Sequence, residues 1–267
     1  MQPVRAVGGA HVRLGAASGR TVVRELKQSG GYRLAMPSTF ADHIEVSQIN
    51  TGGGVAGGDR VETSVAIEQG ADAVFSTQGA ERIYRSSSAA SEIGVRLTLA
   101  AGGRLDWLPQ QTILYAGARL RRRIEVDAAA DSRLLMVEML TFGRPASEEC
   151  GEPARVDDQW RIRRGGRLVL TEALRLTGEM KSVLARPAVG GAARASAIVV
   201  HLAPDAPDRI DEARSALENV PCEAGVSAWN GLMVGRFLAQ RPADVIVGVS
   251  QLARALGRRD MPRVWSI

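Results

Sequence analysis

The sequence is poor in residues that cross-link a chain or bind a metal firmly. Cysteine occurs only twice, at Cys150 and Cys222, and histidine three times, at His11, His43 and His201. None of them forms a Cys-x-x-Cys, a His-Glu-x-x-His or a facial-triad spacing. We therefore expect no disulfide framework, no firm metal site and no tightly bound cofactor. Two distant cysteines are also typical of a reducing cytosol.

Long apolar runs are missing as well. No segment reaches the roughly 18 consecutive apolar residues that a membrane-spanning helix needs. The first residues, MQPVRAVGGAHVRLG, lack the apolar stretch and the small-residue cleavage site of a signal peptide. We therefore expect a cytoplasmic protein with no membrane partner, and its 45% of hydrophobic residues is enough for a sizeable core.

Lysine is scarce, although the chain is basic. Only Lys27 and Lys181 are lysines among 34 basic residues, and the net charge is +5. Arginine suits ion pairs at protein interfaces because its planar group donates paired hydrogen bonds to carboxylates. The arginines are scattered except at 119–123, where no aromatic residues are interleaved, so no nucleic-acid partner is expected. Either a solvated strand face or an acidic protein partner would account for this composition.

What the chain does contain is a succession of short, strand-like segments. They are rich in Val, Ile and Thr, and turns separate them every 8–14 residues. A hairpin is predicted over 159–176 around Gly165 and Gly166. We expect a mainly β protein, a single domain over 1–267 built as an irregular sandwich or β-coil, with 1–15 as a poorly ordered N-terminus. The other predicted strands are 21–25, 44–50, 60–68, 72–78, 92–100, 104–115, 119–127, 132–140 and 195–203.

About two helices are expected towards the C-terminus. Over 206–220, apolar residues recur at helical spacing, and Asp208 is placed to cap the first turn. The segment 244–259 ends in a helical LARAL stretch followed by Arg258 and Arg259, where cations suit the helix dipole.

A glycine-rich segment, NTGGGVAGGDR over 50–60, resembles a phosphate-binding loop only superficially. A strand-like alternation follows it instead of a helix, and Gly58 and Asp59 stand where a phosphate loop needs Lys and Ser or Thr. The segment therefore predicts a bend between two strands, in which glycine permits conformations that other residues rarely adopt.

Catalytic signatures are absent from the sequence. There is no G-x-S-x-G motif, and the adjacent carboxylates at 148–149 and 157–158 are typical of solvated loops. We expect no catalytic residues and no enzyme activity. The alternative is a β-fold hydrolase, which would need a carboxylate acid/base pair converging in a cleft and would turn over substrate by itself.

Three long segments resemble the UreD/UreH family of urease accessory proteins. Residues 50–60 are similar to its N-x-P-G-G-x-x-G-G-D segment. STQGAERIYRS over 76–86 resembles T-T-Q-x-x-x-(R/K)-x-Y-R-S, and 106–123 resembles W-L-P-Q-E-(T/P)-x-I-x-F. Shorter similarities follow in order at 141–149, 175–180 and 262–265, so the resemblance spans roughly residues 20–265.

The chain departs from these patterns at a few positions. Gly52 replaces the family's proline, and Gln111 replaces its glutamate. Glu148 and Glu149 stand where the family often has Gly-Glu.

The resemblance implies a mainly β scaffold with a pair of C-terminal helices. Such a scaffold would bind UreF, through it the GTPase UreG, and also apo-urease (UreABC). It would assist nickel insertion into the urease active site. Nickel would be present only in transit, through an internal water-filled passage of carboxylates and other weak oxygen ligands.

Candidate residues follow from the matched motifs. The carboxylates proposed to line a nickel passage are Asp59 and Glu138, although Asp59 equally suits hydrogen bonds within its own turn. The further motif residues are Asn50, Gly53, Gly57, Gly58, Thr77, Gln78, Arg82, Tyr84, Arg85, Ser86, Trp107, Pro109 and Gln110, of which Trp107 and Pro109 equally suit core and turn positions. The expected partner-binding residues are Leu252, Arg254, Leu256 and Trp265, whose leucines also fit a core-packing stripe.

Overall fold

The computed structural model describes residues 5–38, 43–144, 153–257 and 261–265. Its strands are β1 (Val7–Ala17), β2 (Arg20–Ser29), β3 (Tyr32–Ala35), β4 (Ile44–Asn50), β5 (Arg60–Ile67), β6 (Asp72–Thr77), β7 (Glu81–Ile83), β8 (Ser91–Leu99), β9 (Arg104–Leu108), β10 (Thr112–Leu114), β11 (Arg119–Ala128), β12 (Arg133–Phe142), β13 (Ala154–Arg164), β14 (Arg167–Gly178), β15 (Ala195–Leu202), β16 (Glu223–Trp229) and β17 (Leu232–Ala239). Its helices are α1 (Met180–Leu184), α2 (Ile210–Ser215) and α3 (Pro242–Leu256), and two 3₁₀ turns lie at Pro207–Arg209 and Arg263–Trp265.

The strands form two large sheets. Sheet A has the order β14-β13-β11-β8-β5-β1-β2, and sheet B has the order β16-β17-β15-β12-β9-β6-β4-β3. The short strands β7 and β10 extend sheet B beside β12. From β4 to β13, the long strands alternate between the sheets, and neighbours within each sheet run parallel. The chain therefore winds as a coil, which confirms the predicted mainly β architecture.

The main core lies between the two sheets and follows from strand alternation. In β11, Leu120, Ile124 and Val126 are buried between the sheets, whereas Arg121 and Glu125 point outward. A parallel sheet is usually covered on both faces. The outer face of sheet A instead carries ladders of ion pairs, including Arg121 with Glu92, Arg96 with Glu125 and Arg123 with Asp157.

The outer face of sheet B is covered by the C-terminal elements. Leu108, Leu135 and Val137 of this face pack in one apolar cluster with α3 and the turn Arg263–Trp265. Burial on both faces explains why nearly every residue of β12 is buried. No helix in the described ranges is long and apolar enough to span a membrane.

Three sequence predictions need correction. Residues 7–15 of the segment expected to be poorly ordered belong to strand β1, which lies between β2 and β5, and residues 1–4 lie outside the described residues. The predicted strand 104–115 is broken near Pro109, which has no N–H to donate to a ladder. Asp208 lies within a 3₁₀ turn and does not cap α2, whose N-cap, Arg209, makes no side-chain cap bond.

The helices also differ in extent from the prediction. α3 begins at Pro242, and proline is well tolerated in the first turn of a helix. The Val- and Ile-rich start of the predicted segment 244–259 is therefore helical as well. α1 was not predicted, since five residues are too few for a helical period to be visible. Arg258 and Arg259 lie outside the described residues.

Candidate functional site

A polar pocket of about 310 Å³ opens where β4 and β6 end. Because these strands are parallel neighbours, their carboxyl ends meet at the same edge of sheet B. β4 ends at Asn50 and β6 at Thr77, which places the first two motif segments side by side. The pocket is lined by Gln48, Ile49, Asn50, Gly53, Thr77, Gln78, Gly79, Ala80, Glu81 and Arg82.

Two of the lining residues, Asn50 and Glu81, form a hydrogen-bonded group with Tyr32. The Asn50 Nδ2 atom donates to Glu81 Oε1 at 2.8 Å and to the Tyr32 hydroxyl at 3.0 Å. The Tyr32 hydroxyl donates to Glu81 Oε2 at 3.2 Å. Burial raises the pKa of Glu81, although these two neutral donors partly oppose the shift. Glu81 and Tyr32 were not singled out from the sequence, since Glu81 occupies a position that the family motif leaves open.

The glycine-rich loop is the predicted bend between β4 and β5, and it packs against the second motif segment. Gly53, with φ of +75°, presents its carbonyl oxygen to the Tyr84 hydroxyl at 2.9 Å and to Arg82 Nη1 at 3.3 Å. A Cβ atom at Gly57 would lie only 2.0 Å from Ser86 Oγ. Glycine at Gly57 is therefore required by close approach of the two segments.

Asp59 holds the loop together and does not line the pocket. Its Oδ1 atom accepts from the Ala6 backbone N–H at 2.9 Å, and its Oδ2 atom accepts from that of Ala56 at 2.8 Å. The carboxylate is buried and joins the loop to the start of β1. Asp59 is absent from the lining of this pocket, and its two oxygens accept from the backbone of Ala6 and Ala56, so its role in a nickel passage stays a prediction. Arg85 forms an isolated antiparallel bridge with Ala118.

A second cluster of charged side chains is buried between the sheets. Arg122 of β11 donates to Asp158 of β13 through two nitrogens, at 3.0 and 2.6 Å, and to Glu138 of β12 at 2.6 Å. The indole N–H groups of Trp107 and Trp160 donate to Glu138 and Asp158, at 2.8 and 3.0 Å. All three charged side chains are no more than 6% exposed.

The electrostatics of this cluster keep the arginine charged. Burial disfavours the guanidinium, but Asp158 and Glu138 together raise the pKa of Arg122. Burial also disfavours the charged form of Glu138 and so raises its pKa, and Arg122 partly offsets that shift. The two carboxylates are bound to one arginine in the core and do not face a cleft, so they lack the access to solvent that an acid/base pair of a hydrolase needs.

Polar residues connect the pocket with the buried cluster. Thr112 of β10 is the register partner of Glu81 of β7, and Arg122 Nη1 lies 3.5 Å from Thr112 Oγ1. Behind the pocket, Thr63 Oγ1 of sheet A donates to Gln48 Oε1 of sheet B at 3.0 Å. Thr112 thus pairs through its backbone with the pocket residue Glu81 and contacts Arg122 of the buried cluster through its side chain.

The third motif segment, which begins at Asp106, contacts both the pocket and the buried charged cluster. Trp107 stacks on Phe75 with ring centroids 4.5 Å apart, and Pro109 is buried in the turn after β9. The Gln110 backbone N–H donates to Thr77 Oγ1 at 2.8 Å. Trp107 and Pro109 are thus core and turn residues, and Gln110 contacts the pocket wall.

Three of the four expected partner-binding residues lie in the core. Leu252, Leu256 and Trp265 are at most 6% exposed, because they pack between α3, the C-terminal turn and the outer face of sheet B. This corrects their assignment to a surface. Arg254 is exposed, together with Val247 and Gln251 on the outer side of α3.

Comparison with known proteins decides the family. The model of the UreD urease accessory protein family matches residues 6–266. The chain belongs to the UreD family. Urease accessory protein UreD 2 of Methylorubrum populi is 47% identical, over 94% of this chain and 85% of that protein. UreD 3 of Methylorubrum extorquens is 44% identical over 98% and 90%, and UreD of Azorhizobium caulinodans is 40% identical over 98% and 97%.

In this UreD-family chain, the motif segments meet around one pocket. Among the described residues, no group of three or more His, Cys, Asp or Glu side chains could hold a metal ion. The pocket contributes one carboxylate, Glu81, together with the amide and hydroxyl oxygens of Gln48, Asn50, Thr77 and Gln78. Such a set suits weak and reversible contact with a divalent cation.

Proposed function

We propose that this chain is a non-catalytic scaffold of urease maturation that binds UreF, through it the GTPase UreG, and apo-urease, and assists nickel insertion. The family match over residues 6–266 carries the proposal. Its relatives bear the name urease accessory protein, which describes assistance to an enzyme.

We further propose that nickel touches the pocket only in transit. A divalent cation of borderline hardness needs oxygen ligands to replace its water, and weak sites in series let it move on. Glu81 suits the first contact, since it is the carboxylate of the pocket lining and its two side-chain hydrogen-bond donors, Asn50 and Tyr32, are neutral; the nearby guanidinium of Arg82 also attracts it. Thr112 and the cluster around Glu138 continue this polar series inward. Glu138 thus remains a candidate residue of the nickel passage, and we propose Glu81 as its entrance carboxylate in preference to Asp59.

The surface for UreF is proposed on the outer side of α3. Arg254 and Val247 offer the combination of guanidinium and apolar contact that often contributes strongly to binding. The buried residues Leu252, Leu256 and Trp265 would act indirectly, by fixing α3 against sheet B.

Co-expression with UreF from the same genome, followed by size-exclusion chromatography with light scattering, tests the partner. We expect a stable complex that Arg254→Glu weakens. Arg161→Glu, on the exposed outer face of sheet A, is the matched control and should leave the complex intact. A chain that stays separate from UreF at micromolar concentration would contradict the scaffold proposal.

Urease activation in cells tests the nickel contact. Glu81→Gln keeps the size of the side chain and one acceptor oxygen but removes its charge, so we expect severalfold lower activation at limiting nickel. The control is Glu223→Gln on the exposed edge strand β16. Equal activation by both variants, at equal amounts of the UreF complex, would remove the pocket from the proposed route.

A further inference from the structure

The turn between β9 and β10 touches the pocket and the C-terminus at the same time. Gln110 donates its backbone N–H to Thr77 Oγ1 at 2.8 Å and its side-chain Nε2 to the carbonyl oxygen of Val264 at 2.9 Å. Thr77 lines the pocket, and Val264 belongs to the C-terminal 3₁₀ turn Arg263–Trp265. One residue therefore bridges two places that are far apart in the sequence.

A second contact holds the C-terminal turn to the same segment. The Trp265 indole N–H donates to the carbonyl oxygen of Leu108 at 2.9 Å, and the ring is 6% exposed within the cluster that contains Leu252 of α3. Arg263 also attracts the carboxylate of Glu45 on β4. The turn is thus fixed to α3 and to the β9–β10 segment.

The β9–β10 segment holds the opposite pocket wall as well. The backbone N–H of Glu81 donates to the carbonyl oxygen of Gln111 at 3.0 Å. Thr77 and Glu81, which line the pocket, are therefore positioned by the consecutive residues Gln110 and Gln111. A displacement of this segment would move both residues together.

We propose that Gln110 is a positioning residue that couples the C-terminal turn to the pocket. A protein partner bound against α3 and this turn would then alter the spacing of Thr77 and Glu81. Because such coupling is reciprocal, a divalent cation in the pocket would change the affinity for that partner by the same factor. The proposal rests on the pocket contacting nickel and on α3 meeting UreF.

Hydrogen exchange on the complex with UreF tests the coupling. Gln110→Met keeps the backbone N–H to Thr77 but loses the bond to Val264, and Trp265→Phe loses the indole donor together with part of the buried ring. We expect exchange of the amides over 77–82 to become faster by about fivefold or more in each variant, with strands β11 and β13 unchanged. Gln69→Met, in the exposed turn after β5, is the control. If Gln110→Met does not fold, Trp265→Phe carries the test.

Three outcomes separate the coupling from the proposed function. Faster exchange confined to 77–82, together with a nickel-dependent change in UreF affinity that Gln110→Met abolishes, supports the coupling. Normal exchange over 77–82 in both variants, or faster exchange throughout the chain, overturns it while UreF binding and urease activation by the parent chain stand. Failure of the parent chain to bind UreF at all instead overturns the proposed function.

Discussion

At the scale of single residues, neighbours on one strand have opposite environments. Arg122 is buried between two carboxylates, whereas Arg121 is 56% exposed and pairs with Glu92 on the outer face of sheet A. A buried ion pair adds little stability compared with apolar packing, but removal of one partner leaves a charge without compensation. Arg122 is therefore best understood as the counter-charge that lets Glu138 and Asp158 lie in the core.

Replacement of Arg122 and of Arg121 should lower the free energy of unfolding by different amounts. We expect Arg122→Met to lower the free energy of unfolding by about 3–5 kcal/mol, because two buried carboxylates lose their counter-charge. Arg121→Met should cost less than about 1 kcal/mol, since an exposed ion pair is screened by water. Urea unfolding at neutral pH measures both. Equal costs for the two variants would contradict the buried network.

At the scale of elements, the helical layer covers ionisable groups on sheet B. Asp106 of β9 and His201 of β15 are both register partners of Leu135, so they lie on the same outer face. Burial raises the pKa of Asp106 to about 7, with Arg104 opposing the shift. Burial, with Arg209 assisting, lowers the pKa of His201 to about 4. Within the described part of the chain, neither imidazole nitrogen of His201 has a hydrogen-bond partner.

These two groups should give the stability opposite dependences on pH. Between about pH 4 and 6.5, His201 binds a proton in the unfolded chain but stays neutral in the folded protein. Stability therefore falls as the pH falls through this range. Between about pH 4 and 7, folded Asp106 keeps a proton that the unfolded chain has lost, so stability falls as the pH rises. In the parent chain these contributions oppose each other.

Single variants should reveal each contribution. With Asp106→Asn, we expect stability to decline more steeply from pH 7 towards pH 4 than in the parent, because only the histidine contribution is left. With His201→Leu, stability should instead decline as the pH rises. Urea unfolding over this pH range measures both slopes. Parallel slopes in the two variants would show that these groups do not titrate as buried residues.

At the scale of the whole molecule, the coil joins strands that are distant in the sequence. Val7 of β1 pairs with Arg60 of β5, and Leu120 of β11 pairs with Ser91 of β8. Each parallel pairing requires the chain to cross to the other sheet and return. The entropy of closing these loops must be lost before the contacts form.

Refolding should consequently be slow. We expect recovery of native tryptophan fluorescence over milliseconds to seconds or longer, because Trp107 and Trp160 are buried only when both sheets are assembled. Stopped-flow dilution from urea measures this rate. Complete recovery within the dead time of the instrument would contradict assembly through such distant pairings.

Much of the strand pattern was predictable from the sequence. The predicted segment 44–50 coincides with β4, and 60–68, 72–78 and 119–127 each match a strand to within one residue. The hairpin around Gly165 and Gly166 is β13 and β14. These elements are recognisable in the sequence because apolar and polar residues alternate with a period of two along a strand that has one buried face. Strands β16 and β17 were not predicted, since β16 is largely exposed and β17 is largely buried, so neither alternates clearly.

The candidate site was predictable only in part. The motif residues Asn50, Thr77, Gln78 and Arg82 line one pocket, whereas Asp59 binds backbone N–H groups and Glu81 was missed. A carboxylate in a polar turn looks the same in the sequence whether its oxygens bind backbone amides or face a cavity. The partner-binding leucines were misplaced for a related reason, since an apolar stripe on a helix does not reveal what covers it.

The sequence by itself determined the local structure and the family: alternating apolar residues specified the strands, and ordered motifs specified the UreD resemblance. Only the tertiary structure decided which residues meet. The coil brings 50–60, 76–86 and 106–111 to one edge of sheet B, and it places the C-terminal turn against Gln110. Periodicity is a property of neighbouring residues, whereas proximity across the coil depends on how the whole chain crosses between its two sheets.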